Sequence, residues 1–169
     1  MPPRGRLLAP KAQFVGRLLQ GRDARRMCLR KTKSPEFVPC QDGALGEHEF
    51  STSAAQIGLA RRWLGTFLCV RRIQRQAIEN ALTASGEALA NCVEHAYRGD
   101  RRRMVQVKCY CCVKHGTILI EVADKGQMVH HDKPRPERGF GFALMQALSV
   151  DVNVLSGGGT VVTLLLRAA

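Results

Sequence analysis

The sequence predicts an α+β fold: a two-layer α/β sandwich with a mixed, mostly antiparallel sheet and its helices on one face. Three observations lead there. Two long stretches, 53–70 and 74–97, repeat apolar residues at helical spacing. Runs of β character between 104 and 166 come in pairs around glycine-containing turns. The resulting order of helix, helix, strands, loop, helix, strands mixes long antiparallel pieces with three helices.

Along the chain, residues 1–33 hold ten Lys or Arg against Asp23 alone, and residues 34–46 carry two prolines and two glycines. They read as a basic leader, expected to be disordered, and a linker, with the folded domain over 47–169. Glu47 to Ser51 suits a short edge strand. Ser53 is placed to cap a first helix whose apolar stripe is Ile57, Leu59, Ala60, Trp63, Leu64 and Phe67. Arg61 and Arg62 fall at its solvent border. In the second helix Ala77, Ile78, Ala81, Leu82, Leu89, Cys92, Val93 and Ala96 recur at the same period, and Arg98-Gly99-Asp100 stops it. Met104 to Val113 and Thr117 to Ala123 form a hairpin about Lys114-His115-Gly116. After a polar loop over 124–138, Gly139 opens a third helix, and Val150 to Leu155 pairs with Thr160 to Leu166 around Gly157-Gly158-Gly159.

A chain of 169 residues with 45% hydrophobic content supports one sizeable core, hence one folded domain. It has no stretch of about eighteen apolar residues, so no membrane helix or secretory segment is expected and the location expected is cytoplasmic. Seven cysteines at 28, 40, 69, 92, 109, 111 and 112 lack paired CxxC spacing and are read as reduced thiols. Cys109, Cys111 and Cys112 lie in a strand-like segment and are read as packing residues, and His130-His131 as a solvated loop pair. The net charge of +12 raises the question of nucleic acid. Most of it sits in the leader, where Phe14 is the sole aromatic, so no direct nucleic-acid partner is expected.

Glu87, Asn91 and His95 stand at i, i+4 and i+8, a polar ridge on an otherwise apolar helix that must face water or a site. Asp124-Lys125-Gly126 closes an apolar strand with a carboxylate, beside a glycine that lets a flat ligand approach the backbone. A carboxylate there accepts a hydrogen bond from an exocyclic amine. Gly139-Phe140-Gly141 opens a helix, whose free N–H groups and positive dipole end suit phosphate.

In order, Glu87-x-x-x-Asn91, Asp124-x-Gly126, Gly139-x-Gly141 and Gly158-Gly159-Thr160 resemble the four nucleotide-binding boxes of the gyrase, heat-shock-chaperone and histidine-kinase ATPase superfamily. The stretches 86–100 and 138–145 resemble the versions in stand-alone anti-sigma factor serine/threonine kinases. The resemblance covers about 47–169. It implies the Bergerat ATP-binding fold, with ATP and Mg²⁺ as cofactors. Asn91 would hold Mg²⁺ through its amide oxygen, and Glu87 would take the proton of the attacking hydroxyl. Asp124 would recognise the adenine amine with Thr160 in support. His95, Gly126, Arg138, Gly139, Gly141 and Phe142 would complete the nucleotide site. Residues 127–137 would be the lid, with Lys133 and Arg135 offsetting phosphate charge; Gln127-Met128 stands where the superfamily commonly has a second glycine.

The resemblance further implies a kinase that phosphorylates an anti-anti-sigma partner and sequesters a sigma factor, acting as a homodimer. Arg61, beside the first helix's apolar stripe, matches the family's partner-contact region. A nucleotide-gated interaction switch without transfer is the alternative reading, and retention of both Glu87 and Asn91 favours the kinase. The catalytic half of a sensor histidine kinase would need a histidine-bearing helix pair upstream, and residues 1–46 contain no histidine.

Overall fold

Small residues decide how the layers meet. The computed structural model describes residues 42–95, 104–124, 140–156 and 159–169. Helix α1 (Ala54–Cys69) leads by a tight turn into α2 (Arg75–His95). On α2, Ala77, Ala81, Ala84, Ser85, Ala88, Leu89 and Cys92 are buried, a row of mostly short side chains that lets the helix lie close against its neighbours. Ser85 is satisfied within the helix, its hydroxyl donating to the Ala81 carbonyl at 2.7 Å. Leu82 packs on Gly65 of α1, where an added Cβ would stand 3.5 Å from Leu82 Cδ1.

Below the helices lies a five-stranded sheet in the order β1-β2-β3-β5-β4, from β1 (Ala44–Ser51), β2 (Met104–Cys112), β3 (Thr117–Asp124), β4 (Asp151–Ser156) and β5 (Thr160–Arg167). All four pairings are antiparallel, so the expected mixed sheet is fully antiparallel in the described strands. Helix α3 (Phe140–Leu148) precedes β4. The core forms where alternate strand residues face the helices: Val105, Val107, Cys109 and Cys111 on β2, Ile118, Ile120 and Val122 on β3, Val162, Leu164 and Leu166 on β5.

Departures from expectation are local. Strand β1 extends back to Ala44, because the glycines that suggested linker suit close packing: a Cβ at Gly46 would run into the Phe67 ring, and one at Gly43 into Tyr110. Ser53 has the extended backbone of an N-cap, but its side chain makes no capping bond; its carbonyl accepts from the Gln56 and Ile57 amides instead. Leu59, expected in the α1 stripe, is exposed, and the inward positions are Ala60, Leu64, Phe67 and Leu68. The α1–α2 turn is closed by the Ile73 amide on the Leu68 carbonyl, with Arg72 at φ 58°. The β2–β3 turn uses Gly116 at φ 61°, as its sequence suggests.

The five described cysteines are free, and Cys109, Cys111 and Cys112 are buried packing residues. Among the described residues no helix is long and apolar enough to cross a membrane. The leader 1–33, His130-His131 and Arg101 to Arg103 lie outside the described residues.

Candidate functional site

Strand alternation carries a polar pair into the helix-facing layer. Residues 118, 120 and 122 point their side chains to the helices, and the same two-residue step brings Asp124 to that face at the end of β3. On β5 the series Val162, Leu164, Leu166 runs back to Thr160 by the same rule. Asp124 and Thr160 are direct partners in the β3–β5 register. Both are buried, 6% and 9% exposed. A carboxylate and a hydroxyl at adjacent strand ends thus share one edge of the core.

Over this edge lies the C-terminal half of α2. Its inward row ends at Cys92, which is 3% exposed and lies beside the Asp124 carboxylate. Burial first, and then the neighbouring negative charge, push the Cys92 thiol above its ordinary range, so it stays protonated. Glu87 and Asn91, one turn apart, are half-buried along the border of the same helix.

The Glu87 carboxylate turns toward the first turn of α3. A Cβ added at Gly141 would stand 2.8 Å from Glu87 Oε2, so glycine here leaves the carboxylate its space. The N-terminal turn of a helix carries the positive end of the helix dipole, which favours an anionic neighbour. On the other side, a Cβ at Gly86 would stand 2.8 Å from Arg61 Nη1, so the exposed Arg61 side chain lies across α2 one residue before Glu87.

The comparisons with known proteins meet this geometry. Residues 50–166 match the histidine kinase-like ATPase domain family. The chain belongs to that family. The matched region contains every element bearing Glu87, Asn91, Asp124 and Thr160, and family membership implies that this domain binds ATP. Among solved structures, the RsbU and RsbW domains of Rv1364c from Mycobacterium tuberculosis match with a TM-score of 0.57 and 23% identity, over 73% of this chain and 32% of that one. This likeness is one of fold, and the chain spans about a third of the length of that structure. A comparison with curated proteins returned no match.

The ATPase domain brings Asp124 together with Thr160, and Glu87 with Gly141. Phe142 is exposed on α3 one residue further on, and the backbone of His95 closes α2. Gly126, Arg138, Gly139, Gly158 and the expected lid at 127–137 lie outside the described residues, as does the His95 side chain. Sequence reasoning missed Cys92 as a neighbour of Asp124. Its position directly after Asn91, at the end of a row of small buried residues, was the available signal. It also read Gly86 as part of a motif only, whereas its bare backbone makes room for Arg61.

Among the described residues no three His, Cys, Asp or Glu side chains converge as a metal cage. The Asn91 amide fits a divalent ion held chiefly by phosphates and water, the usual arrangement for Mg²⁺. Such an ion would neutralise charge on the phosphates.

Proposed function

We propose that this ATPase domain is a protein serine/threonine kinase of the anti-sigma type, which phosphorylates an anti-anti-sigma partner and sequesters a sigma factor. The observation that carries the reading is Glu87, half-buried, its carboxylate resting against Gly141 one turn ahead of Asn91 on the same helix. A general base has to sit within reach of the phosphates, and the reading is supported by this carboxylate lying where α2 meets the first turn of α3.

In the reaction, the partner's hydroxyl oxygen forms a bond to the γ-phosphorus while the bond from phosphorus to the β-bridging oxygen breaks, leaving ADP. Glu87 accepts the hydroxyl proton. Asp124 accepts a hydrogen bond from the adenine amine, and Thr160 supports that contact from the adjacent strand. Asn91 would provide an oxygen to Mg²⁺, and Arg138, Gly139, Gly141 and Phe142 would line the phosphate side. Gly126 and His95 belong to the same expected site.

Arg61 is the proposed partner contact. It is exposed and lies over Gly86, so a protein docked on it presents its hydroxyl near Glu87. Its planar guanidinium suits a partner carboxylate. Assembly as a homodimer and a cytoplasmic location complete the reading.

Incubation with labelled ATP, Mg²⁺ and single-domain anti-anti-sigma proteins tests it, with label expected on a partner serine or threonine. Tight ATP binding with no label on any partner would favour the nucleotide-gated switch. Arg61→Ala is expected to weaken partner capture in pull-down titrations while ATP affinity and thermal stability stay near those of the parent; equal capture removes Arg61 from the interface.

A further inference from the structure

Helix α2 carries one glycine, Gly86, well inside its 21 residues, where glycine is among the least favourable choices. We propose that Gly86 is a positioning residue for partner recognition: its bare backbone is the seat on which the Arg61 guanidinium is laid out beside Glu87, ready for a partner carboxylate. The inference rests on the reading of Arg61 as the partner contact and adds the residue that gives that arginine its place.

Space supplies the first support. Gly86 is buried, and the nearest atoms a Cβ there would meet all belong to Arg61: Nη1 at 2.8 Å, Cζ at 3.7 Å and Cδ at 4.0 Å. Two other glycines with close neighbours differ. Gly65 on α1 leaves an added Cβ in ordinary contact with Leu82, at 3.5 Å, and Gly46 makes way for the Phe67 ring. Those two serve core packing, whereas the space at Gly86 is taken by the far end of a charged side chain from an exposed residue. Helix α1 fixes the root of that side chain, because Ala60 and Leu64, each 1% exposed, hold the helix down on either side of it.

Uncommitted donors supply the second. Arg71 donates to the Phe67 carbonyl at 2.7 Å and covers the Phe67 ring, and Arg75 pairs with Glu79 at 2.8 Å. Arg61 has no such bond to a described residue, so among these residues nothing competes for its five N–H donors. A long side chain loses rotamer freedom when a partner grips it, and one already laid against a helix has less to lose. An alanine at position 86 leaves the charge and its donors in place and removes only the seat.

The test uses the full chain as Gly86→Ala, Arg61→Ala and the double variant, titrated by calorimetry with the single-domain anti-anti-sigma protein labelled in the transfer assay, in the presence of Mg²⁺ and a non-hydrolysable ATP analogue. Expected for Gly86→Ala is a loss of about fivefold in partner affinity when Arg61 is present and less than about 1.5-fold when it is alanine. Nucleotide affinity should stay at the parental value and the melting temperature should hold or rise, since alanine suits a helix interior better. Without any partner, the Arg61 Nε–H resonance, assigned by its absence in Arg61→Ala, should pass from restrained in the parent to motionally averaged in Gly86→Ala. Parental capture by Gly86→Ala, equal losses in both backgrounds, or a resonance as restrained as the parent's would overturn the positioning role and leave Arg61 at the interface. A lower melting temperature with a matching loss of nucleotide affinity would assign Gly86 to helix packing instead. If Arg61→Ala captures the partner as tightly as the parent, the docking role of Arg61 itself fails, and that of Gly86 falls with it.

Discussion

Strand β3 has a buried polar residue at each end, and the two are satisfied in opposite ways. At the hairpin end Thr117 is buried and donates to the His115 carbonyl at 3.2 Å, the Cys112 sulfur lies 3.1 Å from His115 Nδ1, and the Ala168 amide bonds the Gly116 carbonyl at 2.9 Å. Most of these partners sit within a few residues of each other, and the turn closes on itself. At the other end Asp124 meets Thr160 from β5 and Cys92 from α2; earlier on α2, Glu87 reaches toward Gly141 of α3. Polar groups that complete a turn are neighbours in sequence. Polar groups that converge from three separate elements, at the border of the core, are joined only by the tertiary fold.

If the contrast is sound, changes at the open end should alter chemistry more than stability, and changes at the hairpin end the reverse. The largest effect is expected for Glu87→Gln: an amide cannot take the hydroxyl proton, so transfer should fall by about 10² to 10⁴, with ATP binding retained in calorimetry. Transfer at the parental rate would remove the base assignment. Asp124→Asn comes next, weakening ATP by about 1–3 kcal/mol because the amide also presents donors to the amine. Undiminished ATP affinity in a folded variant would contradict the recognition role.

Gly141→Ala sharpens the comparison, since the new methyl would meet only the far end of a flexible side chain, Glu87 Oε2. Helix propensity gains up to about 1 kcal/mol, so thermal stability should hold or rise. Transfer should nevertheless drop about tenfold as the carboxylate is displaced, more than ATP affinity does. A transfer rate equal to the parent's would mean that the position of Glu87 against α3 is immaterial. The smallest effect belongs to the hairpin end: Thr117→Val removes one hydrogen bond at nearly constant volume and should lower stability by about 1 kcal/mol in chemical denaturation. ATP affinity should not move, and a change there would dissolve the distinction between the two ends.

What the sequence disclosed follows the same divide. Helical spacing in α2 and the Lys114-His115-Gly116 turn were legible because their determinants are local: a 3.6-residue period and one residue at positive φ. Of the residues the four ordered boxes marked, the structure sets Asp124 opposite Thr160. Periodicity could not supply the pairing of Cys92 with Asp124, since it depends on how α2 is set above the sheet. The glycines were read one-sidedly. Gly43 and Gly46 look like linker residues until the Tyr110 and Phe67 rings occupy the space their side chains would need. Ser53 has the right backbone for a cap without using its hydroxyl, which shows that a capping residue can be recognised where its bond is not formed.

Strand β5 enters the sheet between β3 and β4. During translation, β3 leaves the ribosome with Ile118, Ile120 and Val122 well before the strand that will cover its free edge. A nascent chain at that stage carries an apolar strand with an open hydrogen-bonding edge, the kind of intermediate on which misassembly begins. It also carries Asp124 without Thr160. Asp124 therefore gains its register partner only when β5 pairs with β3.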